Sequence, residues 1–216
     1  DRGSVKEDGM KNKTQRSIVL LVVLAVIMTL SGVIGTAHGK VEGITGPTFN
    51  LIAKEGYIYT TDGASHVMWG YGSNGDMQYP GPTLLVNQGD TVTINLTNQL
   101  TVATSMVFPG QLNVVETGGT PGLLAREAGP NGGTVSYSFT ATKPGTYTYY
   151  SGTAPELQVE MGLLGAIVVY PSGFSATDKR AYDDPSGLDK TTGSYFDREY
   201  LFLVSEMDPN IHQMVQ

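Results

Sequence analysis

From Lys40 onward, apolar and polar positions alternate with a period of two, the pattern of half-buried strands. In Thr91–Thr97, Val92, Ile94 and Leu96 face one way while the threonines and Asn95 face the other, as an antiparallel strand with one solvated face requires. Val135, Tyr137 and Phe139 alternate similarly after an Asn131-Gly132-Gly133 turn, and Pro144-Gly145 turns the chain into a strand over Tyr147–Tyr150. The nearly continuous apolar run Leu164–Tyr170 predicts a central strand covered on both faces. Phe49–Ala53, Tyr57–Thr60 and Val67–Tyr71 read as shorter strands separated by Gly and Asp turns. Pro155–Gly162 lacks this alternation and predicts one short helical excursion. Short strands with turn signals about every ten residues predict an all-β Greek-key sandwich or barrel.

The N-terminus follows a different pattern. Lys11, Lys13 and Arg16 precede an apolar run from Ile18 to Leu30, and the small residues Gly35, Ala37 and Gly39 follow. A basic region, a short apolar stretch and a small-residue cleavage zone predict a secretory signal, hence an exported protein, periplasmic, cell-surface or secreted. Extended through Ile34 the run reaches the lower limit of a membrane span, about 17 residues, so an uncleaved anchor helix is the competing expectation. Contact with a membrane is expected only in that second case. Asp1–Gly9 lies upstream of Met10, a plausible start. The expected organisation is therefore 1–39 as extension plus signal, 40–174 as the β domain, and 175–216 as a linker plus one more strand. Ser172–Ser194 is rich in Asp, Gly, Ser, Thr and Lys, and Tyr200–Val204 is the apolar strand that follows. A lone terminal strand has an unpaired edge, which predicts self-association or strand addition through Tyr200–Ser205.

Charge and composition narrow the chemistry. With 13 Lys and Arg against 20 Asp and Glu the net charge is −7, so no basic footprint for nucleic acid exists. Without residues 1–39 the balance is 8 against 17, a net of −9. The absence of cysteine excludes disulfides, zinc–thiolate sites, iron–sulfur clusters, blue-copper thiolates and thiol catalysis. Three histidines leave little material for a catalytic metal site.

Three stretches then resemble a known family. Tyr79-Pro-Gly-Pro-Thr-Leu-Leu-Val-Asn-Gln-Gly-Asp-Thr-Val92 is similar to the opening of the first cupredoxin (plastocyanin-like) domain of multicopper oxidases. Lys143-Pro-Gly-Thr-Tyr-Thr-Tyr-Tyr-Ser-Gly152 resembles that domain's "PGTYWYHSH" segment, and Glu160–Pro171 resembles its closing strand. More weakly, Phe202–Pro209 resembles the first strand of the domain that comes next. The resemblance implies a cupredoxin fold and, in the family, copper held by histidines. It also marks a departure. Thr104-Ser-Met-Val-Phe-Pro-Gly110 stands where the family has "TS.HWHG", placing Val107 and Pro109 at two histidine positions. Tyr150 and Gly152 stand at the two histidines of "YHSH". Val, Pro and Gly offer no side-chain donor, and a phenol is a poor substitute for imidazole. The expectation is an emptied first-domain copper site on a kept scaffold: no catalytic residue, no cofactor, and a structural or binding role. The alternative is the N-terminal part of a copper-dependent oxidase whose centres lie in further domains.

Other chemistry is sparse. His66-Val67-Met68 and His212-Gln213-Met214 are soft-metal candidates if each pair shares one strand face, although an exposed His beside a packing Met explains them more simply. Met106, Met161 and Tyr147, Tyr149 and Tyr150 are expected to fill space around the vacated site. Glu156 and Glu160 have helical i,i+4 spacing and are expected on a solvated face. Asp183, Asp184 and Asp189 lack the spacing of a calcium loop, and Asn95-Leu96-Thr97 is a glycosylation acceptor only in a eukaryotic secretory route.

Overall fold

The computed structural model describes residues 41–175, 179–182 and 194–215. The predicted N-terminal signal or anchor helix and the acidic linker residues Asp183, Asp184 and Asp189 lie outside the described residues. Among the described residues no helix is long and apolar enough to cross a membrane.

The chain from Lys40 to Gln216 forms one unit, a sandwich of two sheets. The first holds β1 (Ile44–Thr45), β4 (Leu84–Asn87), β11 (Leu164–Tyr170) and β10 (Gly145–Tyr150), in that order. The second runs β3 (Ser65–Gly72), β2 (Thr48–Tyr59), β5 (Thr91–Asn98), β9 (Gly133–Thr140), β6 (Val115–Gly118). A small ribbon pairs β7 (Thr120–Pro121) with β8 (Arg126–Glu127). Helices α1 (Pro155–Gln158) and α2 (Pro209–Val215) complete the described elements.

The alternation read from the sequence decides which faces meet. Val92, Ile94 and Leu96 of β5 lie opposite Phe139, Tyr137 and Val135 of β9, and all six are buried in the core. On the outer face of the same sheet Asn95 donates to Asn50 Oδ1 at 2.9 Å and accepts from Ser136 Oγ at 2.8 Å. The amide of the candidate glycosylation site is thus occupied within a cross-strand polar ladder.

β11 is covered on both faces, as its continuous apolar run predicts. Ile167 and Val169 point into the main core, while Val168 and Tyr170 join Val41 and Leu85 in a second cluster capped by Phe174 and Leu201. Tyr170 stacks on Phe174 with ring centroids 4.0 Å apart. The helical excursion forms as α1 but ends at Gln158.

Three expectations need correction. Phe49–Ala53 and Tyr57–Thr60 are one strand, because Gly56 pairs with Met68 in an uninterrupted ladder and Met77 covers the place its side chain would occupy. Tyr200–Val204 runs without secondary structure and joins no ladder among the described residues. Its alternation instead tucks Leu201 against the second cluster while Tyr200, Phe202 and Val204 are 67%, 85% and 88% exposed. His212-Gln213-Met214 lies on helix α2, not on a strand.

Candidate functional site

The Thr104–Gly110 segment crosses the end of β10. Val107 and Tyr150 form an isolated antiparallel bridge, with Val107 N donating to Tyr150 O at 2.8 Å and Tyr150 N to Val107 O at 3.3 Å. Gly152 is buried beside them, and its N–H donates to Ser105 Oγ at 3.2 Å. A Cβ at Gly152 would stand 2.7 Å from Val107 Cγ1 and 3.2 Å from Leu124 Cβ. The structure therefore brings together three of the four positions singled out in the sequence. The fourth, Pro109, is exposed.

Behind these positions lies a hydrogen-bonded cluster of hydroxyls and one amide. Thr104, Ser105 and Ser151 are fully buried, and Gln158 of α1 is 2% exposed. Gln158 Oε1 accepts from Thr104 Oγ1 at 2.8 Å and Ser151 Oγ at 2.6 Å, while its Nε2 donates to Ala103 O at 2.8 Å. Ser105 Oγ and Thr153 Oγ1 lie 2.9 Å apart, and Thr153 Oγ1 donates to Glu127 Oε1 at 2.9 Å. Buried polar atoms are costly unless paired, and these are paired with one another. Among the described residues no imidazole or ammonium bonds these hydroxyls, so neither Ser151 nor Thr104 has a base to activate it. Sequence reasoning missed Gln158. The available signal was a polar residue closing the one helical turn, next to Thr104-Ser105 and Ser151 in the motif segments.

The aromatic packing around the site follows the expected pattern in part. Met106, Met161 and Tyr149 are fully buried, whereas Tyr147 and Tyr150 are half-buried. The buried tyrosines each spend their hydroxyl on a backbone carbonyl: Tyr71 on Ser105 O, Tyr137 on Arg126 O and Tyr149 on Pro82 O, at 2.6, 2.6 and 2.7 Å. Burial pushes all three phenols well above their ordinary range, so they stay neutral donors. Tyr137 also accepts the Met106 N–H at 3.0 Å, which partly offsets the effect of burial.

The soft-metal candidates are placed differently from one another. His66 is half-buried on β3, and Met68, on the same strand face, is fully buried. His212 is buried at 1% exposure while Met214 is 78% exposed, because residues two apart on a helix point apart. His66 and His212 nevertheless line one cavity of about 240 Å³, with Ser65, Pro209 and Gln213 on its walls. Glu156 is exposed, as expected, but Glu160 lies beyond the end of α1 with its side chain only 12% exposed. Among the described residues no group of three or more His, Asp or Glu is arranged to hold a metal ion.

Comparisons with known proteins agree with this architecture. The copper resistance protein A homolog of Pseudomonas syringae pv. tomato is 33% identical over 131 residues, covering 61% of this chain and 21% of that protein. The iron transport multicopper oxidase fetC of Epichloe festucae is 39% identical over 105 residues, covering 48% of this chain and 16% of that protein. The solved structure of the blue copper oxidase from Nitrosomonas europaea aligns with a TM-score of 0.50 at 26% identity, over 60% of this chain and 40% of that one. The chain thus spans about a fifth of the length of the first of these relatives. A family model described as multicopper oxidase matches residues 53–173. With a match over more than half its length on an all-β sandwich, this chain belongs to the multicopper oxidase family.

Proposed function

We propose that this chain is an exported, cupredoxin-fold member of the multicopper oxidase family whose first-domain copper positions hold side chains that do not bind copper. It then acts as a structural or binding module. The observation that carries this reading is the closure at Val107, Tyr150 and Gly152. Two of the three residues have no side-chain donor, Val107 and Tyr150 are joined backbone to backbone, and Val107 Cγ1 fills the space a side chain at Gly152 would need. A copper ion does not fit this donor set, and no reaction step is assigned to one here. After dialysis against Cu(II), and separately Cu(I), elemental analysis is expected to find well under one tightly held copper per chain. Stoichiometric copper that survives a chelating wash contradicts the reading.

A second reading has its own support. The curated relatives are several times longer than the matched region, which favours this chain as the N-terminal part of a copper-dependent oxidase with its centres in further domains. Reading the nucleotide sequence past Gln216 separates the two: a downstream His-Cys-His segment favours the oxidase.

Tyr200–Ser205 is proposed as the self-association or strand-addition element. Its support is the row of exposed apolar side chains at Tyr200, Phe202 and Val204 on an extended segment that joins no ladder among the described residues. Size exclusion checks this. The wild-type chain is expected to run as a dimer or larger and the Phe202→Asp/Val204→Asp variant as a monomer. A monomeric wild type at about 100 μM removes the intermolecular version.

A further inference from the structure

We infer that α2 is a proton-dependent latch over the free edge of β3, closed while His212 is an imidazolium and loosened when it is neutral. β3 ends the five-stranded sheet, so one of its edges has no neighbouring strand. An open edge of this kind invites pairing with another chain and is normally covered. Trp69 N donates to Met161 O at 2.8 Å, Tyr71 O accepts from Gln78 N at 3.0 Å, and Val67 O is taken by His212 Nδ1 at 2.5 Å. The last of these contacts comes from α2, whose Ile211 and Val215 also pack on the core.

The tautomer follows from the partner. Val67 O can only accept, so Nδ1 must carry a proton. The state of Nε2 then decides the strength of the latch. That atom is buried, has no hydrogen-bond partner among the described residues, and lies 3.7 Å from Glu160 Oε1. Glu160 Oε1 already accepts the Asp208 N–H at the start of α2. A neutral ring would turn a bare lone pair toward a carboxylate, setting two acceptors against each other in a poorly solvated place. The imidazolium replaces this with an N–H facing a negative charge, and one carboxylate then ties both the first turn of α2 and His212 to the sandwich.

The other charges facing His212 are few. From β3, His66 shares the cavity with it, and Asp62 acts on His66. Before the helix, the Asp208 side chain is engaged with Asn210. α2 itself carries no other titratable side chain, and His212 sits in its last turn, where a cation is favoured by the helix carbonyls. The latch is therefore strongest below neutrality and weakens as pH rises through the histidine range.

Hydrogen exchange tests this on the full chain, with amides of β9 as an internal reference. After correction for intrinsic exchange, amides in 209–215 are expected to open about tenfold more readily at pH 8 than at pH 5.5, the effect of one unit of proton linkage. In Glu160→Gln the amide can donate to the neutral Nε2 while its oxygen keeps the Asp208 N–H, so the helix should stay protected at both pH values. In His212→Ala it should open at both. Equal wild-type protection at the two pH values, or an undiminished pH dependence in Glu160→Gln, overturns the latch. Should His212→Ala fail to fold, the Glu160→Gln comparison still decides.

Discussion

Gly165→Ala is expected to cost about 3 kcal/mol of stability, although it adds only one methyl group, because that methyl has no place to go. Gly165 pairs with Tyr149 across the β10–β11 ladder, and a Cβ there would lie 2.3 Å from both Cζ and the hydroxyl oxygen of the Tyr149 ring. The ring cannot retreat. Its hydroxyl donates to Pro82 O at 2.7 Å, a Cβ at Gly81 would meet the same oxygen at 2.7 Å, and the Tyr71 ring stands 5.6 Å away. Shortening the obstacle should relieve the clash. The double variant Gly165→Ala/Tyr149→Leu is expected to be more stable than the sum of its single changes by about 1–3 kcal/mol. Urea unfolding followed by the fluorescence of Trp69, the single tryptophan, measures both terms. A Gly165→Ala loss below about 0.5 kcal/mol, the scale of an ordinary surface change, would mean the ring is not fixed as described.

Asn98→Ala is expected to cost a similar amount, about 3–4 kcal/mol, for a different reason. Asn98 is fully buried at the end of β5, where its side chain replaces strand pairing for the loop that follows. Its Nδ2 donates to Val102 O at 2.7 Å and to Ala128 O and Gly129 O at 3.0 Å each, and its Oδ1 accepts the Leu100 N–H at 3.0 Å. Ala128 O keeps a second donor in Thr104 N, but the other three groups lose a buried side-chain partner. Asn98→Asp separates shape from chemistry. It retains the acceptor for Leu100 and loses every donor, so it should be nearly as damaging as alanine. An Asp variant close to wild type in the same urea experiment would show that burial volume, not hydrogen bonding, holds this loop.

How much of this was legible in the sequence depended on whether the cause was local. β5, β9, β10 and β11 were readable because alternation and turn residues act over a few positions. β2 was read as two strands because Gly56 looks like a break, yet its pairing with β3 and β5 carries the strand through. Tyr200–Val204 has the composition of a strand, but a strand also needs a neighbour to bond, and composition does not supply one. Helix α2 was missed although it carried a recognisable start. Asp208 precedes Pro209 at the first helical position, and its Oδ1 accepts the Asn210 N–H at 2.9 Å.

The site shows the same division. Val107, Tyr150 and Gly152 could be picked out from motif segments and do come together. Their closure depends on contacts between residues more than 40 positions apart, which no spacing rule contains. The Gln158 cluster joins residues 104, 151 and 158, and the latch joins 67, 160 and 212. Neither is a pattern in the chain. They become visible only once the sandwich has placed its loops.

The most direct test of the emptied-site account is a crystal of the chain soaked in Cu(I) and Cu(II), with anomalous scattering recorded on both sides of the copper absorption edge. The account predicts no copper peak within coordination distance, about 2–3 Å, of Val107, Tyr150 or Gly152, and intact backbone bonds between Val107 and Tyr150. A full-occupancy peak there, with that bridge opened around it, would contradict it.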